Sequence, residues 1–123
     1  ENPKYLIAGV VPETYELKCS DVVVVTEDIL SAIKVYRSGF SAVAILGTSV
    51  SIPAAAVIGK YKTVVCWTDG DKAGDSAYLK LRRRLGLYDT TLHRIRTSDD
   101  PKLLHINEIK DKINGRVQIE PSG

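Results

Sequence analysis

Acidic residues recur where apolar segments end. Glu27 follows the Val run of Asp21–Thr26, Asp69 and Asp71 follow Lys62–Thr68, and Asp99 with Asp100 follow Thr91–Arg96. One such acid ahead of a helix is ordinarily a cap, because a carboxylate accepts the unpaired N–H groups of the first turn. Several converging on one crevice repel one another and resist ionisation unless a cation binds among them. A hard divalent ion with oxygen ligands, Mg²⁺ or Mn²⁺, answers that need. Within Asp69-Gly70-Asp71 the two carboxylates stand two residues apart, a spacing that turns both to the same side of an extended segment. Gly70 lets the chain turn tightly between them. The same tripeptide is also an ordinary turn, so its setting between an apolar run and Ala73-Gly74 is what gives it weight.

These residues need elements that bring them together. The Val-rich run Asp21–Thr26, apolar on both faces, predicts a central strand of a parallel sheet. Asp28–Ser38 places Ile29, Ala32, Ile33 and Tyr36 at helical spacing, and Gly39 stands where that helix stops. The pattern repeats as a strand over Ala42–Leu46, a helix over Ser51–Gly59 with Pro53 in its first turn, and a strand over Lys62–Thr68. A long helix follows over Lys72–Leu85, then a strand over Thr91–Arg96 and a closing helix over Leu103–Ile113. Strand-helix alternation of this kind predicts an α/β domain: a mainly parallel four-stranded sheet with helices on both faces. Residues 1–20 read as an irregular lead-in, 21–113 as the core, and 114–123 as a short tail whose Val117–Ile119 could add an edge strand. In such a sheet functional groups gather at the carboxyl ends of the strands, where helix N-termini also point. Gly47 and Thr48 close the second strand at that same edge.

Composition narrows the classes. With 123 residues, 44% hydrophobic and 26% charged, the chain suits one globular domain. It has no Met, so position 1 is not an initiator, and the expectation is a processed protein or a piece of a longer one. No apolar run approaches the ~20 residues of a membrane helix, and the first residues show no basic n-region followed by an apolar h-region, a pattern that an excised piece would have lost. Cys19 and Cys66 suit reduced thiols of a cytoplasmic protein, and two cysteines with His93 and His105 lack zinc-ligand spacing. The net charge of +2 identifies no partner. From Lys72 to Lys112, however, ten Lys or Arg stand against six Asp or Glu. That excess is either a solvated helix face around Arg82, Arg83 and Arg84 or a surface toward phosphate. Gly59-Lys60 is followed by Tyr61 and is no P-loop.

Taken in order, Val22–Glu27 with its helix, Ala44-Ile45-Leu46-Gly47-Thr48, and Thr63–Gly74 with the Asp-x-Asp-x-x-Gly core at Asp69, Asp71 and Gly74 resemble the Toprim domain. Within that family the chain is most similar to bacterial-type and phage DNA primases, especially primase-helicases, over Asp21 to about Ile113. The resemblance implies a Toprim/Rossmann-like fold. It also implies a Mg²⁺-dependent primase subdomain that joins ribonucleoside triphosphates on a single-stranded DNA template, with a replicative helicase as partner. Glu27 would be a metal ligand or acid/base and Asp69 and Asp71 metal ligands, with Asp28 and Asp100 as further candidates. Gly47, Thr48, Lys72, Arg94, Arg96 and Lys102 would meet nucleotide or nucleic acid. Two departures accompany the match. Asp28 stands where the family usually has Gly, and Asp100-Pro101-Lys102 replaces a frequent Asp-Pro-Asp. Asp28 then adds a ligand or caps its helix; Lys102 meets phosphate or lies exposed. A Toprim nuclease hydrolysing phosphodiesters with the same carboxylates, and a non-catalytic binding module, are the alternatives.

Overall fold

The computed structural model describes residues 14–45, 50–97 and 99–117. In chain order its elements are β1 (Thr14–Leu17), β2 (Val22–Thr26), α1 (Ile29–Arg37), β3 (Ser41–Ile45), α2 (Ile52–Ile58), β4 (Thr63–Asp69), α3 (Lys72–Leu85) and β5 (Thr91–Thr97). A 3-10 turn (Pro101–Leu103) and α4 (Ile106–Val117) close the chain. The strands form one sheet in the order β1-β3-β2-β4-β5. β3, β2, β4 and β5 run parallel, and β1 pairs antiparallel with β3.

The β2 valines explain the layering. Val23 and Val25 pack with Ile58, Val64, Cys66 and Leu81 on the side of α2 and α3, whereas Val24 packs with Ala32, Val65, Trp67 and Ile113 on the side of α1 and α4. Side chains alternate along a strand, so a run apolar at every position must be covered on both faces. Each fully buried Val contributes on the order of 1.5 kcal/mol. Helix ends follow local chemistry as well. Asp28 caps α1 through a 2.7 Å bond from the Ser31 N–H. Gly39, at φ 99°, closes that helix while the Gly39 and Phe40 amides donate back to the Tyr36 and Val35 carbonyls.

Three expectations are corrected. The sheet has five strands where the sequence pattern predicts four, because β1 lies within the 1–20 lead-in, which carries no strand pattern. Its Glu16 is buried, which no apolar pattern signals, and is accommodated because the Tyr61 hydroxyl donates to its carboxylate at 2.5 Å. Val117, a candidate for an added edge strand, ends α4 instead, and residues 118–119 lie outside the described residues. The closing helix starts later than Leu103: Pro101 initiates a separate 3-10 turn, and His105 precedes α4, its N–H taken by the Glu108 carboxylate at 3.1 Å.

Candidate functional site

The sheet order contains a reversal. β2 is followed in sequence by β3 on one side, and the chain then crosses back so that β4 lies on the other. Helices leaving β2 and β4 pack on opposite faces, so their carboxyl ends border a crevice, the usual ligand position in open α/β sheets. The register Val25↔Cys66 brings Glu27, two residues on, opposite the end of β4. The Glu27 charge is felt at the Cys66 thiol, whose pKa is pushed up to about 12 by burial first and by Glu27 in small part.

Asp69 is the last residue of β4; its side chain lies outside the described structure. Asp71 is exposed and caps α3, its Oδ1 accepting the Gly74 N–H at 2.7 Å. Among the described residues Oδ2 takes no hydrogen bond. Asp71 can therefore cap the helix with one oxygen and offer the other to an ion. Gly70 has its own support, since the Arg96 guanidinium donates to its carbonyl at 2.9 Å.

Arg94 and Arg96 do share one side of β5, as their alternation implies, but they converge on Asp75. Arg94 Nη1 stands 2.8 Å and Arg96 Nε 3.1 Å from Asp75 Oδ1. The two guanidinium groups, Arg96 first, hold the Asp75 carboxyl below its usual range. Arg94 also donates to Thr68 Oγ1 at 3.2 Å and lies over the Tyr78 ring, 4.9 Å from its centroid. Thr68 in turn donates to the Gly74 carbonyl at 3.2 Å. This network ties the end of β4, the Asp-Gly-Asp turn and the first turns of α3 to β5. Asp75, its hub, carries no signal in the sequence, because its arginine partners reach it only once β5 has paired with β4.

On the other side of the crevice Lys102 meets Asp28 Oδ2 at 3.1 Å and Asp100 Oδ2 at 3.6 Å. Burial opposes ionisation of Asp28, but the Ser31 N–H and the Lys102 ammonium outweigh it and lower its pKa. Lys72 is exposed in the first turn of α3. Gly47 and Thr48 lie outside the described residues. Among the described residues no three Asp, Glu, His or Cys side chains gather tightly enough to hold a metal. The donor chemistry still suits a hard cation, because the residues that end or closely follow β2 and β4 include the carboxylates Glu27, Asp69 and Asp71.

The sequence of residues 24–105 matches the family described as Toprim-like. The chain belongs to the Toprim-like family. No curated protein and no solved structure gave a match. Toprim domains occur in primases, nucleases and topoisomerases and bind Mg²⁺ generally, so membership points to metal-dependent processing of nucleic acid. The α/β architecture, four parallel strands and one antiparallel edge strand, agrees with a Toprim/Rossmann-like fold. Among the described residues no helix is long and apolar enough to cross a membrane.

Proposed function

We propose that this Toprim domain is the catalytic subdomain of a primase, joining ribonucleotides on a single-stranded DNA template. The observation that carries the reading is the pairing of β2 with β4. It sets Glu27 beside the Asp69-Gly70-Asp71 turn at the point where the strand order reverses. In the proposed step the 3′-hydroxyl oxygen attacks the α-phosphorus of an incoming ribonucleoside triphosphate. The bond from that phosphorus to the bridging oxygen breaks, and pyrophosphate leaves with its electron pair. Glu27 takes the hydroxyl proton. Asp69 and Asp71 would hold Mg²⁺, which when bound would supply charge stabilisation at the phosphates and the leaving group. Arg96 fixes the Gly70 carbonyl and with it the direction in which the turn presents its acids.

The test is template-dependent synthesis of labelled oligoribonucleotides by the polypeptide that carries this domain. Glu27→Gln and Asp69→Asn should each lower yield by about a hundredfold or more, as expected for groups acting on the transition state. They should also abolish the Mg²⁺-dependent shift of the Gly70 and Asp71 amide resonances. Undiminished yield in either variant refutes the assignment. Metal-dependent loss of a labelled DNA strand without nucleoside triphosphates would transfer the same carboxylates to hydrolysis.

A further inference from the structure

Away from the strand ends, α2 and the second half of α3 leave between them a groove of ≈ 560 Å³. One wall carries Val50 and Ile52; the other carries Lys80, Arg83, Arg84 and Leu87. The last four follow helical spacing, three and four residues apart, and so form one stripe along and just past α3. Leu87 is 94% exposed and Ile52 65% exposed, two large aliphatic side chains flanking one concavity. No acid lines it. Among the described residues neither Lys80 nor Arg83 makes an ion pair.

The groove is built. Arg84 Nε donates to the Val50 carbonyl at 3.0 Å and anchors the start of α2 to α3. Tyr88, which also lines it, packs its ring so closely on Gly59 that a Cβ there would overlap it. Basic residues in a last helical turn complement the helix dipole, which accounts for Arg82 and in part for Arg83 and Arg84. It accounts neither for Lys80, a turn earlier, nor for two unburied aliphatic side chains beside the cations.

We propose that this groove docks an acidic amphipathic peptide segment of a partner protein. Apolar side chains of the segment enter between Ile52 and Leu87, and its carboxylates meet Lys80 and Arg83. A helix presenting one apolar face to a groove uses this combination of aliphatic anchors and charged rim. A single nucleic-acid strand is the poorer fit, because such strands stack bases on exposed aromatic rings. The exposed anchors here are aliphatic, and Tyr88, the aromatic residue of the lining, has a face taken by Gly59. The inference is independent of the primase reading.

The test is an amide-resonance titration of the chain with a designed helical peptide carrying Leu on one face and Glu on the other. A scrambled peptide and oligo-dT serve as the other ligands. Docking predicts that the designed peptide shifts the Val50, Ile52, Lys80 and Leu87 amides. Lys80→Glu combined with Arg83→Glu, both at exposed positions, should weaken binding by roughly tenfold or more. The proposal is overturned if these amides stay fixed, if the scrambled peptide binds equally, or if the double variant binds as well. Oligo-dT shifting the same amides in competition with the peptide would assign the groove to nucleic acid. A shift of those amides on dilution alone would assign it to a second copy of the chain. Either result also overturns the proposal.

Discussion

Asp71 is asked to do two things with two oxygens, and replacing it in two ways separates them. Oδ1 accepts the N–H of the buried Gly74 at 2.7 Å, so Asp71→Ala removes the cap and leaves that donor without its partner. Loss of a side-chain N-cap costs about 1 kcal/mol, with an upper range near 2. For a domain of this size that corresponds to a fall in melting temperature of about 3–6 °C. Asp71→Asn keeps an oxygen at the cap position and should stay within about 0.5 kcal/mol of the parent, since Asn and Asp cap comparably. Both variants remove the charge that would hold an ion. Thermal melts with and without Mg²⁺ read the two roles in one experiment. An ion present at tenfold its dissociation constant stabilises the parent by about 1.4 kcal/mol. Asp71→Asn should lose most of that increment while keeping its metal-free melting temperature. Asp71→Ala should lose both. Full Mg²⁺ stabilisation in Asp71→Asn, or an unchanged metal-free melt in Asp71→Ala, refutes the division of labour.

Acid should loosen the fold through Asp28 and Asp75, both held below the ordinary carboxylate value of 3.8. A depressed folded-state pKa gives stability that is fully present above that value and lost as pH falls through the folded one. Lys102→Ala should therefore flatten the dependence of the urea midpoint on pH between roughly 5 and 2, and an unchanged slope would count against the Asp28 ion pair. Gly59→Ala should cost about 1–3 kcal/mol by overpacking against Tyr88. A smaller side chain at position 88 should then relieve most of the penalty, and purely additive effects in the double variant would show another cause. Native chain should expose one thiol to a disulfide reagent, because Cys19 is exposed while Cys66 is buried with its pKa raised to about 12; two thiols reacting without unfolding would contradict that burial.

How legible the fold was depended on whether one residue's type could declare its surroundings. Four valines in β2 declare a strand covered on both faces, and Gly39 declares a left-handed helix end that the structure bears out at φ 99°. Asp71 declares a cap, and the structure shows one. Glu16 declares the opposite of its place: a buried acid becomes acceptable only because Tyr61, far along the chain, donates to it, so β1 was hidden. Asp75 was hidden for a related reason. Nothing in the first turn of α3 reveals that β5 will deliver two arginines to it, since that meeting exists only after β5 pairs with β4.

The same dependence on tertiary context joins the two positions at which the sequence departs from the motif it otherwise resembles. Asp28 stands where the resemblance implies Gly and Lys102 where it often implies Asp, at positions 74 residues apart, and the structure sets Lys102 Nζ 3.1 Å from Asp28 Oδ2. Either change alone would be awkward. An acid at both positions would add a like-charge contact beside Asp100, whereas Lys102 without Asp28 would keep only Asp100 as its partner, at 3.6 Å. Together they make an ion pair that also secures α1 against the 3-10 turn, where the Lys102 N–H reaches Ser31 Oγ at 3.4 Å. Asp28 has then committed Oδ1 to the Ser31 N–H and Oδ2 to Lys102. An ion drawn to Oδ2 would have to displace Lys102, and one drawn to Oδ1 would have to break the cap. Among the described acids near the strand ends, Asp71 differs from Asp28 in keeping one carboxylate oxygen outside its cap, with Oδ1 alone taken by the Gly74 N–H.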